Sequence, residues 1–183
     1  MSTDAVLSFL HQKVGPLDWP ALKKPPYVAL IGAILGQKIR YTEAKKLRGH
    51  VYSILGNNFT RPELEAKWQQ LTLPHDKTTI IQNVNTFLRD KNRSPDFPPG
   101  QEWMCIQELL SVTGIGPWTL TSTMLVVEPT TDLMPCEDLF IQKRLQKLFS
   151  LPKKPTAKEV ATMSATWSPY RGIITWYLWR WFD

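Results

Sequence analysis

The chain has 183 residues, a length that suits a single domain able to bury its own core without a disulfide or a metal. Its formal net charge of +6 favours a polyanionic partner such as nucleic acid. The two cysteines, Cys105 and Cys136, exclude an iron–sulfur cluster held by four thiolates and fit no zinc pattern.

Targeting signals are not evident at the start of the chain. The first residues lack the basic, apolar and small-residue regions of a secretory signal peptide. No apolar run reaches the ~18 residues of a membrane span. We therefore expect an intracellular protein that works away from membranes.

Apolar residues recur at helical spacing, and no stretch alternates as a β-strand would. The first helix is predicted at 4–14, followed by the stiff connector 24–26. A helix from residue 27 to about residue 37 comes next. A short polar turn, 37–40, separates it from a helix that runs toward Leu55, with Thr42 as its N-cap and Gly56 as its stop.

The remaining elements are also helical. Capping-box sequences at 60–63 and 156–159 each predict a helix start, and apolar spacing predicts a helix around 80–88. Ser168-Pro169 is predicted to start the last helix. The proline-rich stretch 94–100 suggests a hinge. We expect one all-α domain with two lobes, at about 27–97 and at 1–26 plus 98–183.

A glycine-rich turn lies within the predicted helix-hairpin-helix of residues 103–127. Gly114 and Gly116 bracket Ile115, and Pro117 opens the second helix. Glycines can adopt positive φ, and amides at a helix N-terminus favour an anion such as phosphate. Most short turns of this kind are only turns, so the hairpin alone leaves both interpretations open.

A single acid, Asp138, lies twenty-two residues beyond the last glycine of this turn, at the start of a basic helix predicted for 139–149. Taken alone, it can be a helix cap or a functional carboxylate. Lysines and arginines are dense at 38–48 and again at 143–158. Such runs are either solvated helix faces or a surface for a polyanion, and charge alone does not decide between them.

Three ordered segments carry a family resemblance. Segment 109–144, with its GIGPWT turn followed by PCED, resembles the helix-hairpin-helix (HhH-GPD) DNA glycosylases. Segments 27–47 (YVALIGAILGQKIRYTEAKKL) and 167–179 (WSPYRGIITWYLW) are similar to the early and closing segments of that superfamily. The AlkA-type 3-methyladenine glycosylases are the most similar branch. Their N-terminal β-rich domain is not expected in the short stretch before residue 27.

The resemblance implies roles for particular residues, in an active site expected in the cleft between the lobes. Asp138 would be catalytic, stabilising the cationic sugar. Trp118, Ser122 and Trp179 would form the substrate pocket, and Glu137 would be structural, as a partner for Arg171. The implied DNA-binding residues are Gln37, Lys38, Ile39, Gly114, Ile115, Gly116, Thr119 and Arg144. Two departures stand out: Ser122 and Lys38 replace residues that are often aromatic and apolar in the family.

The implied activity is removal of alkylated purines such as 3-methyladenine or 7-methylguanine from DNA by base flipping. The helix after the hairpin has no lysine nucleophile, which predicts a monofunctional enzyme without strand cleavage. The expected partner is double-stranded DNA with damaged bases, bound by a monomer. No cofactor, metal or cluster is expected to be required, although the resemblance allows a monovalent cation at the hairpin. The alternatives are a catalytically silent DNA-binding protein and a glycosylase for another damaged base.

Overall fold

The structure is a computed structural model that describes residues 2–91 and 106–181. Every regular element in these residues is helical, which confirms the predicted all-α class. The proline-rich stretch 94–100 and the first residues of the predicted hairpin motif lie outside the described part of the chain. The α-helices are α1 (Thr3–Val14), α2 (Trp19–Leu22), α3 (Pro26–Gly36), α4 (Tyr41–Leu55), α5 (Arg61–Ala66), α6 (His75–Asp90), α7 (Pro117–Val127), α8 (Leu139–Leu148), α9 (Ala157–Ala165) and α10 (Arg171–Arg180).

The chain divides into two compact units. We call Lys24–Val127 the hairpin unit, and Met1–Lys23 with Glu128–Asp183 the acid unit. The lobes expected from the sequence placed 98–127 with the chain ends, whereas the described part of this segment, 106–127, groups with the hairpin unit. The reason is packing, because α7 lies along α3.

Helix α3 is the centre of the hairpin unit. Its residues 27–35 are all buried, so it has no solvent face and reads as one apolar run. It packs against α4, α6 and α7. A Cβ added at Gly36 would lie 3.6 Å from the Trp118 ring and 3.2 Å from Nη1 of Arg48, so the absence of a side chain there lets α4 and α7 approach α3 closely.

Most helix ends lie close to the positions predicted from the sequence. Gly56 ends α4 with φ +82°, and the backbone N–H groups of Thr60 and Thr156 each donate to the glutamate three residues later at 2.7 Å, which confirms both capping boxes. The predicted N-cap of α4, Thr42, was wrong. Arg40 occupies that position, and its amide donates to Glu43.

The acid unit is built on α1, α8, α9 and α10, with α1 and α8 both packed on α10. The last helix starts at Arg171, two residues later than the predicted first residue Pro169, and Tyr170 takes the N-cap position predicted for Ser168, whose hydroxyl donates to Asp132. The buried core of this unit comprises Val6, Leu10, Met134, Ile141, Leu145, Val160, Trp167, Ile174, Tyr177, Leu178 and Trp181.

Candidate active site and hairpin

Asp138 is the N-cap residue of α8 and is only 8% exposed. Its Oδ1 accepts the backbone N–H of Phe140 at 2.7 Å and that of Ile141 at 3.1 Å. These two bonds satisfy donors that a helix start leaves unpaired. The capping role considered from the sequence is therefore present, and it fixes the direction of the carboxylate.

The second oxygen of the same carboxylate contacts another predicted site residue. Trp179, on the last turn of α10, donates its indole Nε1–H to Oδ2 of Asp138 at 3.2 Å. The Trp176 ring packs edge-to-face on the Trp179 ring, with 5.3 Å between the centroids. The structure thus brings Asp138 and Trp179 together, forty-one residues apart in sequence.

An ion pair secures the segment that leads to Asp138. Arg171 donates to both carboxylate oxygens of Asp132 at 2.8 Å through its guanidinium, and its amide donates to Oδ1 at 3.1 Å. These hydrogen bonds, with one from the Ser168 hydroxyl, hold the pKa of Asp132 well below its usual range against partial burial. The expected pairing of Arg171 with Glu137 was therefore wrong.

The hairpin turn depends on Gly114. Its φ is +97°, and an added Cβ would lie 2.5 Å from Cγ1 of Ile80 on α6, so both the conformation and the space require glycine. Gly116 differs, because nothing lies within 4 Å of the Cβ it lacks. Backbone conformation and packing therefore require a glycine at position 114, whereas packing does not require one at position 116.

The hairpin backbone is held from several sides. The Ile115 amide donates to the Val112 carbonyl at 3.0 Å, and the Ile115 side chain is only 8% exposed. The Asn83 side chain donates to the Thr113 carbonyl at 3.2 Å. The Gly114 carbonyl accepts the side-chain amide of Gln37, described next.

Gln37 caps α3 and joins three elements. Its Nε2 donates to the Gly114 carbonyl at 2.9 Å and to Oγ1 of Thr119 at 2.7 Å. Gln37 and Thr119 are both buried, so their side chains organise the interior of the hairpin unit. The exposed Lys38 follows with φ +57°, and the half-buried Ile39 comes next.

A buried lysine that was not predicted from the sequence lies beside this turn. Nζ of Lys77 donates to the Gln37 carbonyl at 2.6 Å, and Lys77 is 1% exposed. A signal was available, because Lys77 continues the buried stripe of α6 at helical spacing. The stripe consists of Lys77, Ile81, Val84 and Leu88.

The remaining pocket candidates lie on α7. Trp118 is half-buried in the first turn of the helix. Ser122, one turn later on the same face, is buried, and its hydroxyl has no hydrogen-bond partner within the described residues. An unpartnered buried hydroxyl is unusual in proteins, so this face of α7 remains a candidate for the substrate pocket.

Arg144, predicted to bind DNA, lies against aromatic rings. Its guanidinium carbon is 4.5 Å from the centroid of Phe140 and 5.5 Å from that of Trp181. Nζ of Lys147 is 5.6 Å from the Trp181 centroid. These cation–π contacts hold the basic side chains of α8 close to its surface.

Within 2–91 and 106–181, histidine, cysteine, aspartate and glutamate form no cluster of three or more that could hold a metal ion. No helix in these ranges is both long and apolar enough to cross a bilayer.

Sequence comparisons identify related proteins. No protein-family profile matches the chain. The DNA-3-methyladenine glycosylase of Bacillus subtilis is 28% identical over 175 residues, which cover 84% of this chain and 56% of that protein. YfjP of the same organism is 32% identical over 75 residues, or 41% of this chain and 26% of YfjP. The chain thus spans about half the length, or less, of these curated relatives.

Solved structures share the fold over almost the whole chain. The 3-methyladenine DNA glycosylase Mag1 of fission yeast, solved in complex with abasic DNA, has a TM-score of 0.76 at 23% identity and covers 98% of this chain and 90% of its own. DNA-3-methyladenine glycosidase from Bacillus halodurans has a TM-score of 0.66 at 20% identity, covering 96% and 83%. Sequence and fold comparisons together confirm the resemblance drawn from the three motif segments.

Proposed function

We propose that this chain, which is similar in sequence and fold to AlkA-type 3-methyladenine DNA glycosylases, belongs to the helix-hairpin-helix DNA glycosylases and is a monofunctional glycosylase that removes alkylated purines from DNA. Its expected substrates are 3-methyladenine and 7-methylguanine in duplex DNA. The observation that carries the proposal is the double anchoring of Asp138, by the start of α8 and by Trp179. A carboxylate so fixed can act on a developing charge without first reorganising.

The proposed chemical step is hydrolysis of the bond between C1′ of the sugar and the base nitrogen. That bond breaks with its electron pair moving to the base, which neutralises an N-alkylated purine that was positively charged. The sugar becomes oxocarbenium-like, and the Asp138 carboxylate stabilises it electrostatically. A water oxygen then bonds to C1′ and gives its extra proton to the solvent, leaving an abasic site.

The base is proposed to be recognised by aromatic and polar side chains. By the family resemblance, Trp118 and Trp179 would each offer a ring face to a cationic purine, an attraction worth roughly 0.5–2 kcal/mol for each well-placed ring. The buried Ser122 hydroxyl would offer a hydrogen bond to the base where relatives often have an aromatic ring. An alkylated purine is already a good leaving group, so this arrangement needs no strong general acid.

The hairpin and the 37–40 turn are proposed to hold the duplex. The Ile115 amide already donates to Val112, so a phosphate at the hairpin would draw on Gly116 and on the first turn of α7. The exposed Lys38 and its neighbour Ile39 would fill the gap left by the flipped nucleotide. Arg144 would add a phosphate contact from the edge of its aromatic surroundings.

A monovalent cation at the hairpin stays a prediction from the family resemblance. Such an ion would bind backbone carbonyl oxygens, and the carbonyls of Val112, Thr113 and Gly114 each accept one hydrogen bond within the unit, which leaves each oxygen a second lone pair. No step of the proposed reaction runs through a cation. A requirement for any other cofactor is not part of the proposal.

The proposal is tested by incubating the protein with DNA treated with a methylating agent and identifying the free bases released. Release of 3-methyladenine and 7-methylguanine is expected, with the DNA strand left intact. Parallel duplexes with one hypoxanthine or one ethenoadenine would show whether another damaged base is preferred. A protein that binds these duplexes and releases no base would be a silent DNA-binding protein, and the proposal would be wrong.

A further inference from the structure

Lys77 is a charged residue in the interior of the hairpin unit. It is 1% exposed, and burial of an ammonium is costly unless the charge finds partners. Its Nζ has two, the Gln37 carbonyl at 2.6 Å and Oδ2 of Asp76 at 3.1 Å. The Asp76 side chain is 62% exposed, so the contact with Gln37 is the one made inside the fold.

The Gln37 carbonyl lies where α3 ends and the 37–40 turn begins. It lies at the C-terminal end of α3, where carbonyls lack helical partners and a cation is favoured. The same peptide unit leads into Lys38, whose φ of +57° is unusual for a residue other than glycine. A donor that fixes this carbonyl fixes the plane of that peptide, and with it the left-handed conformation of Lys38.

Gln37 also connects the turn to the hairpin. Its side-chain amide donates to the Gly114 carbonyl and to the Thr119 hydroxyl, while its own carbonyl accepts from Lys77. One residue therefore joins the end of α3, the hairpin and the first turn of α7. All of these contacts lie within the hairpin unit.

We propose that Lys77 is a positioning residue for DNA recognition, which holds the 37–40 turn in the conformation that presents Lys38 and Ile39. The claim that Lys77 assists DNA recognition rests on the proposed function, whereas the claim that Lys77 fixes the conformation of the turn does not. Lys77 itself would touch neither DNA nor base.

The test compares Lys77→Met with a matched lysine. Methionine keeps most of the apolar stem and removes the ammonium. The control is Lys67→Met, because Nζ of Lys67 also donates to a carbonyl near a helix end, that of Ile54 at 2.9 Å, but on the surface and away from the turn. Lys77→Gln serves as a second variant should methionine prevent folding.

The first measurement is amide hydrogen exchange without DNA. Lys77→Met should speed exchange in 37–41 and 113–119 relative to the rest of the chain, and Lys67→Met should not. A uniform change, or none, would show that Lys77 does not fix the turn. Failure of both Lys77 variants to fold would also contradict the proposal, because Lys77 would then support the whole unit.

The second measurement is single-turnover base release from a lesion in a paired duplex and from the same lesion opposite a gap. The rate on the paired duplex, divided by the rate on the gapped duplex, should fall by about fivefold or more in Lys77→Met. The reason is that an unpaired base needs less help to leave the stack. An unchanged ratio would show that Lys77 does not assist DNA recognition. If the wild-type protein releases no base, the proposed function fails, and hydrogen exchange still decides the role of Lys77.

Discussion

Single residues in this chain hold more than one contact. Oδ1 of Asp138 caps α8 while Oδ2 accepts from Trp179, so the capping role is compatible with the catalytic role proposed for the same side chain. Gly114 is required by φ and by contact with Ile80, whereas Gly116 stands beside open space. Substitutions can therefore separate what the fold needs from what a ligand would need.

The two hairpin glycines should respond differently to substitution. Gly116→Val should leave the melting temperature nearly unchanged, because its Cβ meets nothing within 4 Å, and should weaken binding to damaged and undamaged duplexes alike. Gly114→Ala should lower the melting temperature, since its Cβ would collide with Ile80. Thermal unfolding and duplex titrations measure both. Wild-type affinity in a folded Gly116→Val protein would argue against a phosphate site at the hairpin.

Trp179 should support catalysis through its indole N–H. Trp179→Phe keeps an aromatic ring and removes the donor to Oδ2 of Asp138, so the single-turnover rate should fall by about tenfold, as expected for a lost hydrogen bond to a charged group. Trp176→Phe is the control, because it leaves that hydrogen bond in place. Equal losses in the two variants would mean that only ring packing matters.

At the scale of elements, the sequence predicted more of the helices than of their junctions. Apolar spacing and capping boxes predict most helix starts and ends because those signals are local. The start of α10 depends on a distant acid, since Ser168 and Arg171 both bond to Asp132. No local pattern distinguishes Asp132 from Glu137 as the partner of Arg171, because the choice is made by tertiary packing.

The Asp132–Arg171 ion pair should make stability depend on pH. The pKa of Asp132 is lowered in the folded state, so its contribution is complete above the unfolded pKa of about 3.9 and is lost as the pH falls below it. Asp132→Asn should therefore melt below the wild type at pH 7, with a difference that shrinks in acid.

Thermal unfolding from pH 7 to pH 3 measures this dependence. The control is Glu65→Gln, which breaks an exposed ion pair with Arg89 and should have little effect on stability. A melting difference for Asp132→Asn that does not change with pH would assign its effect to packing and not to charge.

For the whole molecule, the spacing of apolar residues was informative about the fold class and less so about the division of the chain. Apolar residues at helical spacing, with no alternating stretch, predicted the all-α class, which the structure confirms for the residues it describes. The division of the chain was not readable in the same way, because α7 joins the hairpin unit through contacts with α3 that are remote in sequence. Lys77 was missed because lysine is rarely buried, although its position continues the helical spacing of the buried α6 residues.

The absence of a lysine in residues 117–127 should make the enzyme monofunctional. Borohydride added during turnover on a damaged duplex should trap no covalent complex, since hydrolysis by water forms no Schiff base. Denaturing gel electrophoresis detects such a complex, and a lysine-dependent glycosylase with strand-cleaving activity provides the positive control. A trapped species would redirect attention to a lysine elsewhere, and mass spectrometry of the adduct would identify it.

The central claim is that Asp138 acts on the sugar in the chemical step, and Asp138→Asn tests it most directly. The asparagine side-chain oxygen can still accept from the amides of Phe140 and Ile141, so the fold should persist while the charge and the acceptor for the Trp179 indole N–H are lost. We predict a single-turnover base-release rate lower by about a hundredfold or more, with unchanged or tighter binding to damaged DNA. Near-wild-type base release by a folded Asp138→Asn protein would contradict the account.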